Sequence, residues 1–453
     1  MKKDKRQLDM TQGNPAKLLV TFAIPMMLGA IFDLLYNMVD GIILGRYVSA
    51  DALAAVGATT AITGMIVMIG FAFTQSISIL IAQAFGAGDN AKLHHLVAQA
   101  FDLSLAVSVL LGAASIALAE PLAILLGVPE NICGDSVLYI RIVCGMGIAR
   151  MFYNTSAAVL RAIGDSSTPL YFLIISSVLN ILLDIVFVVV FGMEIAGVAW
   201  ATVIAQLLSA ALCCAYMWKK YASLRFAKED LKPDRKIQWS YIRIALPIAL
   251  REFLLTGGQM MISGVINRFG SDVVAAYTVG GKVQQIAIIA LSQIEASFAF
   301  YTGQNFGAGR FDRIRDGLKQ VLILSGSITA ICMMVMLGFG RGLALIFVRA
   351  EETDVLIAAV DMIRIEAIFL PAFTVICLYN SMLRGMGIVG PTLASSAAEL
   401  ISKVGFSQIL SELFGYVGAW LASPLGWVVG LTISVGYYHF GNWKQRVLSL
   451  EEK

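Results

Sequence analysis

Charge is what this chain lacks most. Only 14% of its 453 residues are Asp, Glu, Lys or Arg, against 58% hydrophobic, and mean hydropathy is +0.80. A soluble domain carries about a quarter charged residues, so a water-exposed globule is excluded. Histidine is scarcer still, with three in all. His94 and His95 sit side by side near Lys92, which is not the spaced donor set that a metal centre needs. The six cysteines (Cys133, Cys144, Cys213, Cys214, Cys332, Cys377) show no CxxC spacing. That excludes a disulfide framework and leaves buried free thiols. HExxH, GxSxG and a strand-borne phosphate loop ending in Lys-Ser/Thr are also absent, so an integral-membrane enzyme has little footing. No cofactor and no nucleic-acid partner are expected.

Long apolar runs are what is present. They fall at about 18–44, 52–84, 96–119, 132–160, 168–191 and 195–218, then at 241–267, 273–303, 318–340, 355–382, 391–414 and 416–438. Each is long enough to cross a bilayer as a helix, and nothing alternates as barrel strands do. The expected fold is an all-α membrane protein of twelve transmembrane helices. Lysine and arginine orient it: 22 fall in the amino-terminal segment, alternate loops, linker and tail, against Arg46, Arg268, Arg341 and Arg349 on the opposite side. The positive-inside rule then puts both termini in the cytoplasm of a multi-pass inner-membrane protein. The first run is too long for a signal-peptide core and reads as an uncleaved helix.

Between the sixth and seventh runs lies the only long charged segment, Lys219–Gln238. The halves on either side repeat one another. Gln83-Ala-Phe-Gly-Ala-Gly88 is answered by Gln304-Asn-Phe-Gly-Ala-Gly309, and Leu160-Arg161-Ala-Ile-Gly164 by Leu383-Arg384-Gly-Met-Gly387. Pro25 is matched by Pro247, and Gly197-Val-Ala-Trp200 by Gly418-Ala-Trp420. Six spans per half make the repeat parallel. Two pseudo-symmetric six-helix lobes around a central cavity form a secondary-transporter architecture. The expected division is an N-lobe over 1–218, a cytoplasmic linker over 219–240, a C-lobe over 241–440 and a cytoplasmic tail over 441–453.

With Asp40-Gly-Ile-Ile-Leu-Gly45-Arg46 ending the first run, and Asn180 and Asp184 in the fifth, these motifs resemble the multidrug and toxin extrusion (MATE) family. The likeness covers the whole chain in order and is nearest the DinF-like branch. That resemblance implies an ion site in the N-lobe built from acids on helices 1 and 5, with Asp40, Asn180, Asp184 and Thr202 matching.

Topology leads to the same residues. Asn180 and Asp184, at i and i+4, share one helix face. A carboxylate within a span is costly and faces a bundle interior or a wet cavity; the plainer reading is a structural Asp bonded to a neighbouring helix. With helices 1 and 5 running outward and helix 6 returning, Asp40, Asn180, Asp184, Thr202 and Tyr139 share one depth. Two carboxylates, an amide and a hydroxyl suit a proton or Na⁺. In the second half Glu399 and Lys403 occupy the places of Asn180 and Asp184, which predicts a structural ion pair instead.

Tyr36 and Asn37 share the stripe of Asp33 and Asp40. Asn154, Gln259, Gln284 and Glu295 are candidates for a substrate cleft, with hydrogen bonds between helices an equal alternative. Pro25 blocks a bond to the Thr21 carbonyl and, like Pro247, gives its helix a point of bending. The expected function is export of amphipathic, often cationic organic compounds in exchange for H⁺ or Na⁺, by a monomer in the lipid bilayer. The alternative is a lipid-linked saccharide flippase of the larger multidrug/oligosaccharidyl-lipid/polysaccharide exporter superfamily.

Overall fold

The structure, a computed structural model, describes residues 7–441; the expected tail beyond 441 and the first basic residues lie outside them. Every regular element among the described residues is helical. The order is α1 (Pro15–Ile43), α2 (Ala50–Gly86), α3 (Asn90–Leu125), α4 (Glu130–Val143), α5 (Ile148–Ala162), α6 (Ser167–Asp184) and α7 (Glu194–Lys220). After the linker come α8 (Arg235–Ile266), α9 (Ser271–Gly307), α10 (Phe311–Leu345), α11 (Thr353–Gly385), α12 (Val389–Phe414) and α13 (Tyr416–Phe440).

Eight of the described helices are long and apolar enough to cross a membrane, or nine if α4 and α5, bent by 46° at their junction, form one span. A single helix was expected over 132–160. Cys144-Gly-Met-Gly147 breaks it, and α3 packs into the break: a Cβ on Gly112 would stand 2.8 Å from the Gly145 carbonyl oxygen. The remaining three, α8, α11 and α12, run 32, 33 and 26 residues. At 1.5 Å per residue they reach across a bilayer. They are less apolar because they carry Arg251 and Glu252, Asp361, Arg364 and Glu366, and Glu399 and Lys403.

The helices begin and end as the local chemistry dictates. The Ser49 hydroxyl accepts from the Ala52 N–H at 3.0 Å to start α2, and Asp89 accepts from Lys92 at 2.9 Å to start α3. The repeated motifs take one conformation in both halves. Gly88 and Gly309 have φ of +69° and +66°, and Gly164 and Gly387 have +93° and +76°. These are left-handed values that glycine reaches without a Cβ clash, and each closes its helix end.

The chain forms two compact units. The first holds a leading segment ending at Asp9 and Ile24–Leu246; the second holds Met10–Ala23 and Pro247–Lys453. The linker therefore belongs with the first unit. The Gln99 carboxamide donates to the carbonyls of Asp230 and Lys232, both at 2.8 Å, and accepts from the Asp234 N–H at 2.9 Å. Each unit also takes in the first turns of a helix that continues in the other. In the second, Ser297 donates to the Leu19 carbonyl at 3.0 Å and Phe300 meets Phe22 with ring centroids 5.3 Å apart. In the first, Tyr241 donates to the Leu96 carbonyl at 2.9 Å. Pro25 and Pro247 lie at or beside these handover points.

Candidate ion and substrate sites

Asp184 is the last α-helical residue of α6; a π-helical turn, Ile185–Val190, carries the chain on. Asp40 lies one turn before a matching π turn, Leu44–Val48, at the end of α1. π turns are rare and concentrate at functional sites. Here both open just past an acid. They are bedded in an apolar cluster with Ile43, Leu44, Ala55, Val188, Ile195 and Val198.

The four expected ion ligands meet in the first unit. Asp184 is wholly buried, Asn180 is 1% and Thr202 4% exposed. One orientation of the Asn180 carboxamide satisfies both neighbours: it donates to Asp40 Oδ1 at 3.0 Å and accepts from the Thr202 N–H at 3.2 Å. Neither oxygen of Asp184 has a hydrogen-bond donor. The group in reach is the Asp40 carboxyl. Two carboxylates cannot bond to each other unless one proton lies between them, and a buried polar atom left unbonded costs about 1–3 kcal/mol. Among the described residues no cation acts on either acid; the charges that reach them are their own and that of Asp33. The arrangement lacks one positive charge, which a proton or a small cation supplies.

Tyr36 and Tyr139 lie within the electrostatic reach of Asp40 and of Arg150. Asn37 is exposed and donates to the Asp33 carbonyl one turn back, at 2.5 Å. Asn154 lines a small apolar cavity with Arg150, Cys144 and Met151, away from the acid pair. Gln259 and Gln284 are in the second unit, on one cavity of about 350 Å³, where Gln259 donates to the Tyr277 hydroxyl. Glu295 is engaged: it accepts from Arg384 at 2.6 Å, and both side chains are under 15% exposed. Lys403 meets Glu399 at 2.6 Å and stands over the Trp427 ring at 5.7 Å.

One residue of the second unit escaped sequence reasoning. Glu366 on α11 is 4% exposed, and its Oε2 has no hydrogen-bond partner. The available signal was an acid within the apolar stretch Leu356–Leu370, where Asp361 and Arg364 beside it make it read as part of a surface charge group.

A family profile described as MatE matches residues 25–186 and 247–409. The probable multidrug resistance protein YpnP of Bacillus subtilis is 28% identical, covering 98% of this chain and 99% of that one. The probable multidrug resistance protein NorM of Thermotoga maritima is 22% identical over 96% and 95% of the two chains. Among solved structures, a MATE protein in a bent conformation superposes with a TM-score of 0.88 at 22% identity over 98% of both chains. A Pyrococcus furiosus transporter of the MOP superfamily, described as having a binding pocket of reverse polarity, gives 0.88 at 21% over the full length of both. The two profile segments fall on the two repeated halves, and the chain belongs to the MatE family.

Proposed function

We propose that this chain is a secondary antiporter that exports amphipathic, often cationic organic compounds across the cytoplasmic membrane in exchange for H⁺ or Na⁺. Membership of the family makes it a multi-pass membrane transporter of small molecules. The multidrug names of YpnP and NorM support the substrate class. The observation that carries the coupling is the contact of half-buried Asp40 with buried Asp184, bridged to Asn180 and lacking any cation among the described residues. An ion entering there completes a charge balance that the protein leaves open. Its loss restores the repulsion, which gives the ion differential affinity for two arrangements of α1 and α6. Pro25 lies fifteen residues before Asp40, roughly 22 Å along the axis, and supplies the compliance for α1 to lean. Neither catalysis nor a cofactor has a part in this cycle, and one copy with cytoplasmic termini suffices.

The test is export from proteoliposomes. With a fluorescent organic cation inside, an imposed H⁺ or Na⁺ gradient of inward direction should accelerate efflux, and an equal K⁺ gradient should not. Efflux indifferent to both gradients would refute coupled antiport. Faster efflux with one ion alone names that ion.

A further inference from the structure

A stripe on α3 docks the linker. His95, Gln99 and Asp102 stand at i, i+4 and i+7, so they share one helix face. Gln99 bonds three backbone groups of the linker, at Asp230, Lys232 and Asp234. Asp102 accepts from the Gln238 carboxamide at 2.8 Å. His95 meets the linker with both ring nitrogens: Nδ1 stands 3.5 Å from Asp230 Oδ1, and Nε2 stands 3.3 Å from Asp234 Oδ2. All of these residues belong to the first unit. Lys92 and Asp102 on α3, Glu229 and Lys232 in the linker, and Arg235 and Lys236 at the start of α8 are the other charged groups along these segments. The ion partners of His95 among the described residues are Asp230 and Asp234; α2, α4 and α5, which pack on α3, bring it none.

Among the side-chain types of this stripe, histidine is the one whose charge changes between about pH 5 and 8. A neutral imidazole has one N–H and one bare lone pair. Between two carboxylates that lone pair faces one of them, and the contact is repulsive. The imidazolium has an N–H for each, and charge-assisted hydrogen bonds are the stronger kind. The linker side of the site is fixed in advance, because Asp234 also accepts from the N–H groups of Lys236 and Ile237. We propose that His95 is a pH-operated clasp, which holds the linker to α3 while its ring is protonated and releases it when the proton leaves. Docking that needs the proton is complete where histidine is charged and weakens as pH rises. The carboxylates set the opposite limit in acid, so docking is tightest between about pH 5 and 6. On the orientation proposed above, the linker faces the cytoplasm, and the clasp then reads the pH of the side to which the coupling ion is delivered. That placement rests on the proposed function; the clasp itself does not.

The test is amide hydrogen exchange of the full-length protein in nanodiscs, with uptake over residues 230–237 divided by the intrinsic rate at each pH. Going from about pH 5.5 to about pH 8 crosses the range in which histidine discharges. The corrected exchange of the segment should rise about fivefold, the weight of a part-exposed ion pair. His95→Gln keeps a donor without a charge and should show the faster rate at both pH values. His95→Arg keeps the charge and should show the slower rate at both. His94→Gln is the control, since His94 is one residue away on another face of α3; it should leave the pH response intact. Exchange that does not change with pH in the wild type overturns the proposal. So does a response that persists in either His95 variant, or one that vanishes in His94→Gln. Transport is not the readout, so a chain that fails as an antiporter can still pass this test, and a working antiporter can still fail it.

Discussion

The two halves of the chain share a frame and differ in how they treat charge. Ser104 meets Thr155 at 2.7 Å in the first unit, and Thr329 meets Thr374 at 2.7 Å in the second. Ser176 donates to the Ala205 carbonyl at 2.9 Å, and Ser395 to that of Gly430 at 2.8 Å. These hydroxyls join corresponding helices, so the duplication preserved packing down to single hydrogen bonds. Carboxylates diverge. The second unit gives Glu252, Glu295 and Glu399 a fixed cation each. The first brings Asp40 to Asp184 and gives the pair none among the described residues. Changing Asn180 and Asp184 to their counterparts Glu399 and Lys403 converts an ion-seeking face into a self-neutralised one on the same scaffold. On the proposed reading, coupling belongs to the first unit because its two adjoining acids share no cation among the described residues.

The comparison breaks most severely if the acids of the first unit are dispensable. Asp184→Asn or Asp40→Asn should reduce gradient-driven efflux to that of empty vesicles, while thermal stability in detergent holds or rises, because a buried repulsion is removed. Wild-type efflux from either variant would end the assignment. Next comes the opposite expectation for the second unit. Arg384→Met leaves Glu295 buried and unpaired and should cost about 3–5 kcal/mol of stability. Adding Glu295→Gln should restore most of the melting temperature, and a double mutant no more stable than the single would show that the pair is not the cause.

A gentler probe exchanges Glu399 and Lys403. An ion pair tolerates reversal better than an ion site does, so coupled efflux should persist at a reduced rate. Loss of ion dependence in Glu399→Gln with substrate still bound would place coupling in both units. The smallest effect belongs to the linker. Asp234 accepts from the N–H groups of Lys236 at 2.8 Å and Ile237 at 3.3 Å and faces His95 at 3.3 Å. These backbone bonds, with His95, hold its carboxyl below the ordinary value of 3.8. A depressed carboxylate stabilises above its unfolded range and loses that contribution as pH falls through its folded value. Linker protection from an acid-active protease such as pepsin should therefore be full at pH 5 and weaken below about pH 4. Asp234→Asn should remove that pH dependence, and a pH response identical to the wild type would exclude Asp234 as its source.

Much of this was legible before any coordinates. The repeated Gly-Ala-Gly and Leu-Arg motifs located the duplication, because a left-handed helix end tolerates few residues besides glycine. Asn180 and Asp184 revealed a face, since polar atoms in an apolar run need partners. The break at Gly145 was hidden by the apolar residues around it, and hydropathy alone does not register a 46° bend. The sequence did not show that the linker docks, because Gln99 reads as one more polar residue at a helix start. Nor did it distinguish Glu295, which Arg384 occupies, from Glu366, whose Oε2 no described residue bonds. Pairing across 89 residues is a tertiary fact.

The π turns beyond Asp40 and Asp184 bear on how this protein tolerates editing. A π turn holds one residue more than an α turn of the same span. Leu44–Val48 and Ile185–Val190 therefore each carry a spare residue. Removing one amino acid from an ordinary transmembrane helix rotates everything after it by about 100° and scrambles the packing. Removed from one of these two turns, it relaxes the segment to plain α-helix and keeps the following loop in register. The ends of α1 and α6 are thus the places in the first unit where the chain can be shortened by a residue without being rewritten downstream.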